Sequence, residues 1–238
     1  MQEELYCFPY HYLPDLESGR YIRLHRALYW GLEYMTYMTF VAELVRKWKP
    51  VRLLDVGCGD GRLISMVREA VADAHGIDLS SRAVAFAKAF NPTAAFTCGE
   101  LVSHSDQYPI VTLVEVLEHV PDMSTREFIH DLSHVVEAGG RLILSVPTAN
   151  VPLNKKHFRH YTLTSLAQEI ERFFRIEEHW WLYRRCATER FITAVLCNDT
   201  FTLNHRRVRA LLWELHRRRC YFADCATGAH LVCVARPK

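Results

Sequence analysis

The pattern of hydrophobic and polar positions predicts strands that alternate with helices from residue 51 onward. Short apolar runs such as VRLLDV (51–56), PIVTLVEV (109–116) and RLILSVP (141–147) have the length and composition of buried strands. Segments with helical spacing, such as SSRAVAFAKAF (80–90) and TLTSLAQEIERFF (162–174), lie between strands. This alternation predicts an α/β fold, a Rossmann-like seven-stranded, mostly parallel sheet with helices on both faces. Ligands of such sheets bind beyond the carboxyl ends of the strands.

Two segments lie outside this alternation. Residues 1–49 are rich in aromatic residues, and their pattern is helical from about Gly19 to Trp48, where Pro50 stops it. This N-terminal helical extension either packs on the sheet or forms a lid whose aromatic side chains wall a pocket. Residues 50–238 form the main domain, with a helical insertion at about 188–219 between the last two strands.

Length and composition fit one domain with an extension. The chain has 238 residues, a net charge of +2 and eight cysteines without a CxxC pair, which predicts free thiols in a reducing cytoplasm. The N-terminus has no signal-peptide pattern, and no apolar run is long enough to span a membrane. The near-neutral charge predicts no strong attraction to nucleic acid, although HRRVRALLWELHRRR (205–219) is locally basic.

A glycine-rich turn, GCGDG (57–61), follows the first predicted strand. Its glycines allow the backbone to turn sharply and to approach a ligand closely. The dinucleotide fingerprint GxGxxG would need glycine at position 62, where the chain has Arg62. Asp78 ends the second strand, where an acid binds ribose hydroxyls in these folds. The turn, the acid and the strand order together predict a ligand with a ribose, whereas the turn alone would also fit a tight turn without a ligand.

The motifs LLDVGCGDG (53–61), GIDLS (76–80) and VLEHVPD (116–122) resemble the class I S-adenosylmethionine-dependent methyltransferases, with the small-molecule branch called type 11 the most similar. The resemblance covers residues 51 to about 172 and implies that S-adenosylmethionine is the cofactor. It also implies the binding residues: Asp55, Gly57, Cys58, Gly59 and Gly61 at the methionine part, Asp78 at the ribose, Leu79, Gly99, Glu100 and Leu101 near the adenine, and Glu115 and Val116 along the pocket.

The stretch VEVLEHVPD (114–122) places two carboxylates and an imidazole at the end of the fourth strand. In one interpretation His119 is the base, helped by Glu118, with His157 and His160 as further catalytic candidates. In a second, Glu115, Glu118, His119 and His157 bind a divalent metal, because the family that methylates the terminal 2′-hydroxyl of small RNAs carries a similar ExxEH cluster. In a third they are structural. The prediction is the first, without a metal.

The predicted function is therefore methyl transfer from S-adenosylmethionine to a small polar metabolite or glycan, at oxygen or nitrogen. The alternatives are a metal-assisted RNA 2′-O-methyltransferase and a non-catalytic, cofactor-binding partner subunit. The loop PLNKKHFRHYT (152–162) either clamps an anionic acceptor or is merely solvated. The expected partner is a small-molecule acceptor, with nucleic acid disfavoured and no membrane, and the chain is expected to be a monomer or homodimer in the cytoplasm.

Overall fold

The described strands form one eight-stranded sheet and a separate two-stranded antiparallel sheet. The computed structural model describes residues 15–17, 21–23, 29–198 and 200–238. The strands are Asp15–Glu17 (β1), Tyr21–Arg23 (β2), Arg52–Val56 (β3), Asp73–Asp78 (β4), Ala95–Cys98 (β5), Tyr108–Val114 (β6), Val136–Pro147 (β7), Phe174–Arg184 (β8), Phe222–Ala223 (β9) and Gly228–Pro237 (β10). The helices are Gly31–Trp48 (α1), Arg62–Val67 (α2), Ser81–Phe90 (α3), Asp122–Val135 (α4), Leu163–Ile170 (α5), Ala187–Leu196 (α6) and Arg206–Arg219 (α7).

The strand order in the main sheet is β5-β4-β3-β6-β7-β10-β8-β9. Strands β3 to β7 are parallel, and β10 runs antiparallel between β7 and β8. The mostly parallel Rossmann-like sheet is thus confirmed. It has eight strands rather than the predicted seven, because Phe222 and Ala223 add a short antiparallel edge strand beside Leu182 and Trp181.

Helices cover both faces of this sheet, because its strands carry apolar side chains on both sides. Leu53 and Leu54 are adjacent in β3 and point into different cores, because successive side chains of a strand alternate between faces. The core around Leu53 contains residues of α1, α2 and α3, whereas the core around Leu54 contains residues of α4 and α5. None of the described helices is long and apolar enough to cross a bilayer.

The first helix begins later than the sequence predicted. Helix α1 starts at Gly31 rather than near Gly19, and Tyr21–Arg23 is instead a strand paired with Asp15–Glu17. Tyrosine and isoleucine favour strands, which explains why the helical pattern fails there. The helix ends at Trp48, and the next residue, Lys49, caps it in a left-handed conformation before Pro50. Residues 1–14, 18–20 and 24–28 lie outside the described residues, so the lid interpretation stays a prediction.

The topology places the candidate site. Strand β3 pairs with β4 on one side and with β6 on the other, so the strand order reverses at β3. Open α/β sheets bind ligands in the crevice beyond the carboxyl ends of the strands at such a reversal. The glycine turn that follows β3 and the VEVLEHVPD stretch that follows β6 both lie at this edge.

Candidate active site

The turn after β3 has the backbone conformation that its glycines permit. Gly57, Gly59 and Gly61 have φ of +71°, +55° and +76°, in the left-handed region that side chains other than glycine avoid. The N–H groups of Gly57 and Cys58 donate to the carbonyl of Ile77 at 2.8 and 3.1 Å, which fixes the turn against the end of β4. The turn is therefore a preformed loop at the mouth of the crevice.

Asp78 holds the same loop from the end of β4. Its Oδ2 accepts a hydrogen bond from the N–H of Gly59 at 2.9 Å, and its Oδ1 accepts one from Ser80 at 2.8 Å. A carboxylate offers about four acceptor positions, so two remain for a ligand hydroxyl. Asp78 can thus shape the loop and bind a ribose at once.

Asp55, the other predicted acid of this region, is buried at the end of β3 and accepts a hydrogen bond from Thr112 at 2.7 Å. Burial raises the pKa of Asp55 to about 7, although the hydrogen bond from Thr112 acts in the opposite direction. A buried carboxyl group of this kind is stabilised as an anion when a cation binds beside it. Asp55 is therefore suited to a ligand with an ammonium group.

The remaining predicted cofactor residues differ in exposure. Leu79 is 72% exposed and Glu100 is also exposed, so both side chains are open to a ligand. The side chains of Cys58 and Leu101 are buried in the two cores, so only their backbone could contact a cofactor. The N–H of Gly99 donates to the carbonyl of Asp78 at 3.1 Å, which keeps this loop beside β4.

Gly57 and Val116 bring the two loops into contact. A Cβ atom on Gly57 would lie 2.3 Å from Cγ2 of Val116, closer than any real contact. Glu115, which precedes Val116, has a positive φ of +54°, a strained conformation for a residue other than glycine. The crevice therefore depends on a glycine at 57 and on a constrained backbone at 115.

We expect Gly57→Ala to destabilise the protein by two separable effects. The positive φ costs about 1–2 kcal/mol, and the overlap with Val116 adds about 1–3 kcal/mol. Gly139→Ala is the matched control, because Gly139 has φ +82° but no atom within 4 Å of an added Cβ. Urea unfolding of both variants measures the difference. Equal losses would show that Val116 does not press on Gly57.

Beyond Val116, a single 3-10 turn, Leu117–His119, buries Glu118. Glu118 has no solvent exposure, and neither of its carboxylate oxygens has a hydrogen-bond partner among the described residues. Burial raises its pKa well above the usual value, and the negative charge of Glu115 raises it further. An unsatisfied buried carboxyl group is costly, so this position calls for a ligand that donates to it or carries positive charge.

The three histidines of the two loops form a chain. Nδ1 of His119 lies 3.0 Å from the carbonyl oxygen of Lys156, so in the neutral ring Nδ1 carries the proton and Nε2 is free to accept one. His157 packs edge-on against His119 with ring centres 4.7 Å apart. Its Nδ1 lies 2.8 Å from Nε2 of His160, whose Nδ1 in turn lies 3.1 Å from the carbonyl oxygen of Val151. His160 therefore orients His157 and has no free nitrogen.

Three of the four residues considered as metal ligands converge. Ligand atoms of Glu118, His119 and His157 lie within 4.8 Å of one another, so these three side chains could hold a divalent cation. Burial lowers the pKa of His157 to about 4, with His119 and His160 contributing, so its ring is neutral at pH 7, as a metal ligand must be. Glu115 does not join this group.

Glu115 instead belongs to a buried network that the sequence analysis missed. Its Oε1 accepts a hydrogen bond from Ser145, and its Oε2 lies 3.1 Å from Nδ1 of His230. Nε2 of His230 lies 2.7 Å from Oε1 of Glu33. Burial alone would lower the pKa of His230, but Glu115 and Glu33 raise it to about 10, so the imidazolium is stabilised between two carboxylates. The only sequence signal was a histidine inside the apolar strand HLVCV.

Arg159 fastens the second loop to the first. Its guanidinium donates to Asp122 at 2.8 Å, to the carbonyl of Val120 at 3.0 Å and to the hydroxyl of Tyr161 at 3.0 Å. The hydrogen bonds of Arg159 are made within the protein, so this side chain stabilises the two loops and is not directed at an acceptor. Of the basic residues in the loop 152–162, Lys155 and Lys156 are left as candidates to bind an anionic acceptor.

A polar cavity of about 500 Å³ lies next to the buried network. Glu33 connects the two, since it contacts His230 and also lines the cavity. The cavity is lined by charged, hydroxyl and thiol side chains: Tyr29, Glu33, Tyr183, Arg185, Cys186, Glu189 and Arg190. Glu189 already accepts hydrogen bonds from Tyr183 at 2.6 Å and from Thr193 at 2.9 Å, and Arg185 pairs with Glu33 at 3.8 Å, which leaves Arg190 as the charged group most available to a ligand.

Comparison with known proteins agrees with this geometry. The family model described as a methyltransferase domain matches residues 29–190. Ubiquinone biosynthesis O-methyltransferases are similar in sequence: that of Bordetella avium is 32% identical over 121 residues (48% of this chain, 49% of the relative), and that of Photorhabdus laumondii is 30% identical over 176 residues (65% and 70%). The chain thus spans about half the length of the Bordetella relative.

Solved structures show the same fold at lower identity. The N-methyltransferase NodS from Bradyrhizobium japonicum in complex with S-adenosyl-L-homocysteine superposes with a TM-score of 0.59 at 13% identity, covering 86% of each chain. A TehB-like S-adenosylmethionine-dependent methyltransferase from Corynebacterium glutamicum gives 0.56 at 17% identity, covering 83% of this chain and 86% of the other. At these identities the likeness concerns the fold.

Proposed function

This chain belongs to the methyltransferase domain family, and from that membership and the crevice geometry we propose that it transfers a methyl group from S-adenosylmethionine to a small polar acceptor. The names of the relatives favour oxygen over nitrogen as the acceptor atom. The observation that carries the proposal is the contact between the glycine turn and the loop that bears His119, because it joins a nucleoside-binding loop to a proton acceptor at one crevice.

The described residues fit this cofactor. Asp78 retains acceptor positions for ribose hydroxyls, and Leu79 is exposed beside it. Asp55 is a buried acid that an ammonium group would stabilise. When bound, S-adenosylmethionine supplies an activated methyl group, so the protein must align the acceptor and accept its proton.

Proton acceptance falls to His119 in this proposal. Lys156 holds the ring through Nδ1, which leaves the Nε2 lone pair as the base. Nε2 lies 3.9 Å from Oε1 of Glu118, so a hydroxyl group between them could donate to one and accept from the other. This arrangement would also satisfy the otherwise unpaired Glu118.

The acceptor is proposed to extend into the polar cavity beside Glu33. Arg190 suits an anionic or strongly polar group, and Arg185, which pairs with Glu33 at 3.8 Å, adds positive charge to the same wall. A charged lining of this kind disfavours a purely apolar acceptor.

A metal-assisted reaction is the second candidate, including transfer to a ribose 2′-hydroxyl of RNA. It is favoured by the convergence of Glu118, His119 and His157, which would surround a divalent cation and satisfy the buried carboxyl group. The exposed arginines of α7 would suit a phosphate backbone, although such a helix face is more often simply solvated.

We expect S-adenosyl-L-homocysteine to bind with micromolar affinity and Asp78→Ala to weaken binding by about 1–3 kcal/mol, through loss of a charge-assisted hydrogen bond. Asp73→Ala is the matched control, because Asp73 begins the strand that Asp78 ends and is exposed. Titration calorimetry measures both. Equal affinity in wild type and Asp78→Ala would reject the ribose assignment, and no binding at all would reject the proposed cofactor.

The acceptor can be identified by transfer of a radioactive methyl group from S-adenosylmethionine to extracted metabolite pools and, separately, to total RNA. Label in small polar compounds supports the first proposal. Label only in RNA supports the second candidate. Cofactor binding without label in either pool would favour the third alternative, a partner subunit without catalysis.

A further inference from the structure

The two helices between β8 and β10 bring a pair of cysteines together. Cys186 precedes the first residue of α6, and Cys220 follows the last residue of α7. Their sulfur atoms lie 3.6 Å apart, although 34 positions separate them in the chain. The backbone is fixed nearby, because the N–H of Arg184 donates to the carbonyl of Cys220 at 2.7 Å. Rotation of the two side chains could bring the sulfur atoms from 3.6 Å to a disulfide distance of about 2.05 Å.

The two thiols differ in access and acidity. Cys186 is partly exposed and lines the polar cavity, whereas Cys220 is fully buried. Burial opposes ionisation of Cys186, but backbone N–H groups at the start of α6 and the thiol of Cys220 outweigh it and lower the pKa. Burial raises the pKa of Cys220 to about 12. One sulfur is thus an accessible nucleophile and the other a shielded partner.

We propose that Cys186 and Cys220 form a reversible redox pair, in which a hydroperoxide oxidises Cys186 and Cys220 converts the product to an intramolecular disulfide. This property is independent of methyl transfer. Reduction by a cellular dithiol or by glutathione would restore both thiols.

The chemistry balances in two steps. The Cys186 thiolate attacks the terminal oxygen of the hydroperoxide, the O–O bond breaks, and an alcohol or water leaves after protonation, so that the sulfur becomes a sulfenic acid. The Cys220 sulfur then attacks the Cys186 sulfur, the S–O bond breaks, and water leaves. The protein loses two electrons and two protons in total, and the hydroperoxide gains them.

The bridge would connect the start of α6 to the end of α7. It would close the whole insertion into a covalent loop and draw the Cys186 sulfur toward Cys220 at the cavity wall. Formation of the bridge is therefore expected to raise the unfolding temperature of the full chain.

The test is peptide mapping of the full-length protein, reduced, diluted and treated with one equivalent of hydrogen peroxide. We expect a peptide pair linked through Cys186 and Cys220, a mass loss of two hydrogen atoms, and reversal by dithiothreitol. In Cys220→Ser, dimedone should trap sulfenic acid at Cys186, because the sulfur that would convert it to a disulfide is missing.

Cys225→Ser is the matched control and should form the same bridge as wild type. The proposal is overturned if wild type yields no linked peptide, or if the cysteines link between molecules only. The wild-type result decides the matter even if Cys220→Ser does not fold, because that measurement needs no substitution.

Discussion

Replacement of His119 by alanine is expected to lower the rate constant of methyl transfer by about 10²–10⁴-fold, if this imidazole is the base. The carbonyl of Lys156 holds the ring through Nδ1, and the carboxyl group of Glu118 beside it has no hydrogen-bond partner among the described residues. The loss should fall in the chemical step, and the affinity for S-adenosyl-L-homocysteine should hardly change, because we propose that the ring contacts the acceptor rather than the cofactor. Single-turnover kinetics and calorimetry separate the two quantities.

His134→Ala provides the matched control, because His134 is an exposed histidine of α4, outside the crevice. Its rate should equal that of wild type. Unchanged turnover in His119→Ala would reject the base assignment.

Chelation distinguishes the metal-assisted alternative. If His119 acts as a base without a metal, wild-type turnover should survive exhaustive chelation. If Glu118, His119 and His157 hold a cation, chelation should abolish turnover, added Mn²⁺ or Mg²⁺ should restore it, and each single replacement should be inactive. The two outcomes are opposite, so one series of measurements decides between them.

The fold could be predicted from the sequence because short segments of the chain specify most of its strands and turns. The β-branched apolar run VRLLDV is short and bounded by a turn, as a buried strand is, and the glycines at 57, 59 and 61 permit a turn with positive φ. The edge strand Phe222–Ala223 was missed because two residues carry no periodic pattern. The start of α1 was misplaced because Tyr21–Arg23 pairs with a neighbouring strand, which helical spacing does not reveal.

The candidate site was predictable where its residues are neighbours in the chain or follow the ends of predicted strands. Glu118 and His119 are adjacent, and His157 was found by its place after the fifth predicted strand. The network of Glu33, His230 and Glu115 was missed because Glu33 and His230 are 197 positions apart. Their contact results from the antiparallel placement of β10, a property of the assembled sheet rather than of a local segment.

His230→Leu is expected to destabilise the protein by about 3–5 kcal/mol near pH 7, because it leaves the largely buried Glu115 carboxylate without the positive charge that lies 3.1 Å from it. His216→Leu is the matched control. His216 is also buried, but burial lowers its pKa to about 4, so it is neutral, and its Nε2 lies 2.8 Å from the hydroxyl of Thr36. That replacement should cost about 1 kcal/mol. Urea unfolding compares the two.

The pH dependence of stability tests the charge of His230 directly. Its pKa is about 10 in the folded protein, compared with an ordinary value of 6.5. A raised pKa means that the folded state holds the proton more tightly, so the contribution is complete below pH 6.5 and is lost as the pH rises toward 10. The stability difference between wild type and His230→Leu should therefore shrink across this window, whereas that between wild type and His216→Leu should stay constant. A constant difference for His230→Leu would mean that this histidine is neutral in the folded protein.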